Sequence, residues 1–264
     1  MVSTNQRSAA LVVAAGAAVS ASASIDGANV HLRLFNDAPT STTNVVNNFP
    51  SSLVISDQNV KNPAGGFANR HNFRLSSGGT DNAFANNEGF VYSSDVRIDG
   101  PGFSEGGLNI TPWWSQQIDG NFMLNPGSGE VAVFGGRLPF YSFTAQHGVH
   151  YSMGQTVRLG VRYRPNGLSM ASPGTIEYFY NDGSNSFTSG SIAFDQGNPN
   201  EDPPHGLWGL LNDYMVGGYY QPFVDNFVPD PSSQITFSNI SFIPAPSAAA
   251  LLGLAGLAGV RRRR

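Results

Sequence analysis

The sequence predicts an all-β fold, an antiparallel β-sandwich or jelly roll of about ten or more strands. Three observations carry that reading. Apolar and polar residues alternate with period two in run after run, as a half-buried antiparallel strand requires. Clusters of Gly, Asn, Asp and Pro punctuate those runs, and no segment between the two termini sustains a helical period. Hydrophobic residues are 40% of the 264-residue chain, with 18 Phe, and only 12% are charged, which supports a core and excludes a disordered chain.

Residues 1–23 read as a secretory signal with a helical core. Arg7 supplies a positive start, Ala9 to Val19 an apolar stretch, and Ala21-Ser22-Ala23 the small residues that favour cleavage before Ser24. The chain has no cysteine, which fits an exported protein that uses no disulfides. Residues 24–242 form the predicted sandwich. Val30, Leu32 and Leu34 alternate with His31, Arg33 and Phe35, and Tyr92, Ser94, Val96 and Ile98 oppose Val91, Ser93, Asp95, Arg97 and Asp99. Val157 to Arg164, Thr175 to Tyr180 and Ile235 to Phe242 repeat the pattern. Gly78-Gly79, Asn125-Pro126-Gly127, Asn166-Gly167 and Asn181-Asp182-Gly183 mark the turns. Thr40 to Asn48 and Asn62 to Asn87, polar and rich in Gly and Asn, are expected to be long surface loops.

The chain ends in Ile243-Pro244-Ala245-Pro246, an uncharged Ala/Leu/Gly stretch from Ser247 to Val260, and Arg261-Arg262-Arg263-Arg264. This reads as a short hydrophobic helix with a cytoplasmic arginine stop, leaving everything upstream outside. Arg7 and the terminal arginines account for five of the 14 basic residues, whereas all 18 acidic ones lie between Asp26 and Asp230. The body alone therefore carries nine basic residues and a net charge near −9, against −4 for the whole chain. With no basic patch, nucleic acid is excluded as a partner, and other polyanions are not obvious ones.

Candidate chemistry is sparse. Asp95, Arg97 and Asp99 share one strand face, but an arginine between two carboxylates favours their charged forms, so an ion-pair row is expected rather than an acid catalyst. His147, His150 and His205 lack the further ligands of a zinc site, and no Gly-X-Ser-X-Gly elbow occurs, so neither a metal centre nor a catalytic residue is predicted. Asn181 to Asn185 and Asp225-Asn226 offer oxygen ligands for Ca²⁺, a weaker reading than the turn that Asn-Asp-Gly favours. Trp113, Trp114, Trp208 and Tyr219 stand near Asn and Gln side chains, an arrangement on which sugar rings could stack, although one of any adjacent aromatic pair should face the core.

The tail, Ile243 to Arg264, resembles the PEP-CTERM sorting signal, with Pro244-Ala245-Pro246 in place of Pro-Glu-Pro. That resemblance implies an exosortase-type processing enzyme as partner, transient anchoring in the inner membrane, and delivery to the surface or extracellular matrix of a Gram-negative bacterium. The blocks Glu88 to Asp99, Gly129 to Phe134, Gln155 to Tyr163, Gly174 to Tyr180 and Ile235 to Phe242 are similar in order to a concanavalin A-like or laminin-G-like jelly roll, which implies a last strand paired near the first. Its glycoside-hydrolase branch carries Glu-X-Asp-X-X-Glu on one strand, and this chain has no such run. The expected function is a non-catalytic structural or glycan-associated module, associated with exopolysaccharide. The alternative is a carbohydrate-active enzyme, a glycoside hydrolase or lyase, on the same fold.

Overall fold

The period-two segments pair as antiparallel strands in the computed structural model, which describes residues 24–112, 120–194 and 208–245. In chain order they are β1 (Gly27–Asn36), β2 (Thr42–Asn48), β3 (Ser52–Gln58), β4 (Asn69–Ser77), β5 (Thr80–Asp81), β6 (Phe90–Asp99), β7 (Ser104–Pro112), β8 (Gly120–Asn125), β9 (Glu130–Phe134) and β10 (Tyr141–Ser142). A short helix α1 (Phe143–His147) follows, then β11 (Thr156–Arg164), β12 (Thr175–Asn181), β13 (Ser186–Thr188), β14 (Ile192–Ala193), β15 (Tyr214–Pro222) and β16 (Ser233–Pro244). Among the described residues they make two eight-stranded sheets. Sheet A has the order β1-β4-β15-β7-β8-β9-β10 with β5 beside β4, and sheet B the order β13-β12-β11-β6-β16-β3-β2 with β14 beside β12. The expected all-β antiparallel sandwich is present. The last strand, β16, lies between β6 and β3 in sheet B rather than beside β1, which edges sheet A.

The core follows from the alternation. Tyr92, Val96 and Ile98 of β6, Leu159 and Val161 of β11, Tyr178 of β12 and Phe237 of β16 point inward from sheet B. They meet Phe73 and Leu75 of β4, Leu108 and Ile110 of β7, Phe122 and Leu124 of β8 and Val131 and Val133 of β9. Aromatic edges tie the layers, with Phe73 and Phe237 centroids 4.8 Å apart and Phe122 and Tyr178 5.9 Å apart. The outward residues of sheet B form the expected ion-pair row: Arg97 grips Asp99 at 2.7 Å, while Asp95 is taken by Arg158 of the neighbouring β11 at 2.6 Å.

The two stretches expected to be loops contain three strands, β2, β4 and β5. β2 is a polar edge strand, half-exposed or exposed along its length. β4 lies inside sheet A, between the edge strand β1 and β15, and carries polar residues on both faces. Its inner polar residues make a bridge between the sheets. Asp57 of β3, fully buried, accepts from Asn69 Nδ2 at 2.7 Å and lies 3.1 Å from His71 Nε2, both of them on β4. The Arg33 backbone N–H donates to His71 Nδ1 at 3.1 Å, which leaves the ring proton on Nε2 to donate to Asp57. Burial pulls the Asp57 carboxyl upward, but hydrogen bonds from His71, Asn69 and Ser41 outweigh it and hold its pKa below the ordinary 3.8.

At the ends of the body, Ser24 already accepts a hydrogen bond from Ser77 Oγ at 3.0 Å, so the chain lies against β4 from the predicted cleavage point onward. At the other end β16 runs past Phe242. Ile243 and Pro244 pair with Val91 and Phe90 of β6, and the Ala245 N–H donates to the Gly89 carbonyl at 2.8 Å. Pro244 is tolerated because β3 no longer pairs beyond Ser238, which leaves that side of β16 a free edge. Ala21, Ala23, Pro246 and Arg261 to Arg264, with both terminal helices expected from the sequence, lie outside the described residues. No helix among the described residues is long and apolar enough to cross a membrane.

Candidate functional site

β4 reads Asn-Arg-His-Asn-Phe-Arg-Leu-Ser-Ser, and the pleat sends Arg70, Asn72 and Arg74 to the outer face of sheet A while His71, Phe73 and Leu75 go inward. Pairing then sets two rows across the strands. His31, Asn72, Tyr219, Gly107 and Met123 lie in one register, and Asn29, Arg74, Gly217, Asn109 and Asn121 in the next. Each row contains a glycine, and Gly217, at the centre of the second, is required there: a Cβ would stand 1.8 Å from the Phe73 carbonyl oxygen. The result is a polar face with a low middle, flanked by arginines and carboxamides.

These groups are connected and covered. The Arg70 guanidinium lies 4.5 Å above the Tyr219 ring centroid and 5.9 Å from that of Phe35. It donates through Nη1 to Gln221 Oε1 at 3.2 Å and through Nη2 to Asn121 Oδ1 at 3.0 Å. Asn109 Nδ2 donates to the same Asn121 oxygen at 3.0 Å. Arg70 is 3% exposed and Arg74 6%. Arg74 is held by one nitrogen alone, Nη1, at 3.3 Å from Asp81 Oδ2. Its Nε and Nη2 are buried and, among the described residues, have no hydrogen-bond partner. Asp81 also accepts from Asn29 at 2.8 Å, and His31 Nε2 approaches it to 2.8 Å without hydrogen-bond alignment.

Nε and Nη2 form one edge of the guanidinium fork, the edge that a carboxylate engages with two parallel hydrogen bonds. An unpaired donor buried away from water costs on the order of 1–3 kcal/mol. Arg74 has two such donors on one edge, a geometry that a carboxylate would satisfy. Further along the face, in the register of Gln221 and near Arg70, stands Glu105 of β7, which accepts from Tyr219 Oη at 3.4 Å. Burial raises the Glu105 carboxyl above its usual range, against the opposing pull of Arg70, Tyr219 and Asn125 and with the help of nearby Glu130.

Of the residues proposed from sequence for sugar stacking, Tyr219 belongs to this face. It is fully buried, packed with Met123, Ala132 and Phe134 in a small second cluster. Tyr220 turns to the core, as the alternation requires, and stacks on His71 at 6.0 Å. Trp208 lies elsewhere, at the Gly174 edge of sheet B, where its carbonyl accepts from the Gly174 N–H. Trp113 and Trp114 lie outside the described residues. His147 and His150 are exposed, and His147 stacks on Phe187 at 4.3 Å. Among the described residues no three His or acidic side chains gather as a metal would need. In both oxygen-rich segments considered for Ca²⁺ the carboxylates serve turns. Asp182 Oδ1 accepts from the Ser184 and Asn185 N–H groups at 2.9 and 2.6 Å, and Asp225 Oδ1 from those of Phe227 and Val228 at 2.9 and 3.2 Å. A separate cleft of about 270 Å³ on sheet B, lined by Ser56, Gln58, Asp99 and Gln234, offers one carboxylate, already paired with Arg97.

No family model matches the chain, and no curated protein does. Solved structures resemble it distantly. Alginate lyase A1-II′ superposes at a TM-score of 0.46 with 7% identity, over 84% of this chain and 95% of its own. The alginate lyase from Alteromonas sp. 272 gives 0.39 and 11%, over 77% and 94%. Arcelin-5, a lectin-like defense protein from Phaseolus vulgaris, gives 0.40 and 11%, over 83% and 99%. Likeness at this level carries no functional argument.

Proposed function

We propose that the outer face of sheet A binds an acidic polysaccharide and that the protein is an exported, glycan-associated module. One observation carries the reading: the buried Arg74 Nε/Nη2 edge, unbonded, beside Arg70 and the carboxamides of Asn109 and Asn121. A uronate supplies both complements, a carboxylate for the fork and hydroxyls for the amides. The net charge of the body does not forbid this, because charges further away than about 8 Å are largely screened at physiological salt. Arg74 is covered, so a ligand reaches it only as the face opens, and association is slower than diffusion. The test is affinity electrophoresis of the full chain in gels cast with a polyuronate or with a neutral glucan. Retardation by the polyuronate alone, abolished in Arg74→Lys, which keeps the charge and loses the fork, is the expected result. No retardation, or equal retardation by the neutral glucan, overturns it.

A second reading, a polysaccharide-cleaving enzyme using the same face, is favoured by Glu105, a carboxyl raised by burial next to a tyrosine hydroxyl, as a proton donor needs. New reducing ends or unsaturated uronate released from the polymer, and lost in Glu105→Gln, would establish it. Polymer recovered intact leaves the binding module.

We also propose export through residues 1–23 and removal of the tail by an exosortase-type enzyme, on the strength of the sequence signals alone. Because Pro244 and Ala245 are bonded to β6 and Gly89, a cut beyond Ala245 leaves the sandwich whole. The intact mass of protein recovered from the cell exterior tests this. A chain beginning at Ser24 and lacking the terminal arginines is expected, and the full 28.0 kDa chain would refute it.

A further inference from the structure

At one end of sheet A a group of phenylalanines faces solvent. Phe67 is 63% exposed and Phe103 58%, and Phe223 beside them is half-buried. They sit on the direct extensions of β4, β7 and β15: Ala68 bridges Phe223, the Phe223 N–H donates to the Phe103 carbonyl at 3.1 Å, and the Val224 N–H donates to the Phe67 carbonyl at 2.9 Å. By the pleat, Phe103 and Phe223 fall on the same outer side as Glu105 and Gln221, two residues away on their strands. Phe103, Phe223 and, opposite Phe223, Ala68 are thus the next row of the face that carries Arg70 and Arg74, and Phe67, one residue off that row, meets it through its ring contact with Phe223.

Their exposure is not the accident of a loose loop. Asp37 Oδ2 accepts from the Phe67 and Ala68 N–H groups at 2.8 and 3.2 Å. The Asn226 side chain clasps the Asn62 backbone, accepting from its N–H at 3.0 Å and donating to its carbonyl at 2.9 Å, and the Asp225 N–H donates to the Val60 carbonyl at 3.0 Å. Phe67 is backed by Phe223, with ring centroids 5.1 Å apart, and Phe103 by Gly127, where a Cβ would stand 3.0 Å from the ring. Both rings are therefore in contact on one side and open to solvent over more than half of their surface, on a backbone fixed from several sides.

We infer that Phe67, Phe103 and Phe223 form a ring-stacking subsite for a pyranose unit further along the same polysaccharide chain, which runs with the strands from Arg74 past Arg70 to this row. The inference rests on the acidic-polysaccharide reading above. The apolar C–H face of a pyranose suits an open aromatic ring, and its hydroxyl edge meets Gln221 and Glu105 in the adjoining row. From Arg74 to Ala68 is six residues, about 20 Å at ~3.4 Å each, so the full site holds several sugar units and not one.

A length series of uronate oligomers, titrated calorimetrically into the full chain, tests this. Affinity should rise with length in the wild type. The Phe67→Ala/Phe103→Ala double variant should lose about tenfold on the long oligomers, the size of one good aromatic contact, while keeping the wild-type affinity for the shortest binder and the wild-type unfolding midpoint. Phe103→Trp, which keeps a ring, should retain the length dependence. Unchanged long-oligomer affinity in the double variant, or an equal loss at every length, overturns the subsite alone. Absence of any uronate binding by the wild type overturns it together with the reading beneath it. Binding to phosphatidylcholine vesicles that the double variant loses would reassign the rings to a lipid surface and likewise overturn the proposal.

Discussion

Removing the carboxylate that joins the sheets tests how the site strand is held. In Asp57→Ala, Asn69 Nδ2 loses its 2.7 Å acceptor but keeps Ser41 Oγ at 2.9 Å, so its loss lies at the low end of the range for a buried hydrogen bond. His71 fares worse. Among the described residues its Nε2–H has no other acceptor, and its Nδ1 is occupied by the Arg33 N–H, so no tautomer relieves it. Adding a small cavity in a fully buried place gives a loss of about 3–5 kcal/mol. Asp57→Asn keeps an acceptor oxygen and should cost less, about 1 kcal/mol. The pH dependence has a definite sign. The folded pKa lies below the unfolded one, so the ionised Asp57 contributes fully above the unfolded value, and that contribution fades as pH falls through the folded value. Wild type and Asp57→Asn should therefore converge below about pH 4. Urea unfolding at neutral pH and through an acid series, with unchanged m-values, reads both effects. An alanine variant within about 1 kcal/mol of wild type, or a wild-type-to-Asn gap that widens on acidification, refutes the reasoning.

Two further outcomes are expected. Gly217→Ala should destabilise by about 3 kcal/mol or more, since its Cβ would meet the Phe73 carbonyl oxygen at 1.8 Å and neither β4 nor β15 can retreat within the sheet; a urea midpoint close to wild type would contradict this. Polyuronate affinity should change little, or rise, when salt is raised from low to physiological strength, because screening relieves repulsion from an acidic body while the covered Arg74 contact is screened least. A steep fall of the kind that a basic stripe gives, measured by calorimetry at two ionic strengths, would place binding on exposed cations instead.

How much of this could be read from the sequence depended on which faces each strand presents. β6, β11 and β12 have their outer faces toward solvent, and Tyr92, Val96, Leu159, Val161, Ile176 and Tyr178 alternate with polar residues as the period-two rule expects. β4 is buried on both faces, with polar groups on each: Asn69 and His71 inward to Asp57, Arg70, Asn72 and Arg74 outward. Its first half, Asn69 to Asn72, is polar throughout, and only Asn72-Phe73-Arg74-Leu75-Ser76 alternates, too short a run to stand out from the polar segment around it. The signal that was present is a period of two in charge and amide, Arg70-Asn72-Arg74, rather than in hydrophobicity. β15 illustrates the same limit. The expectation that one of Tyr219 and Tyr220 turns inward holds for Tyr220, but that Tyr219 is covered as well follows from Arg70 lying across its ring, a contact with a strand that had not been recognised. The helix α1 has five residues, too few to show a period, and is fixed by its ends: Ser142 Oγ accepts from the Ala145 N–H at 3.1 Å and Gly148 closes it at a φ of 68°.

Net charge misleads for a related reason. A count of nine basic against 18 acidic residues treats all of them as equally available to a partner. In the fold Asp95 is taken by Arg158, Asp99 by Arg97 and Glu177 by Arg162, while Asp182 and Asp225 are capped by backbone N–H groups in their turns. Each of these ion pairs also uses up a basic residue, so the net excess is unchanged; what the pairs and turns alter is which charges a ligand meets. Arg74 differs in kind: one nitrogen satisfied, two buried and unsatisfied, on a face floored by glycine and lined by carboxamides. Recognition depends on the donors that the fold leaves unbonded and on where they lie, so an acidic body can present a site for an acidic ligand.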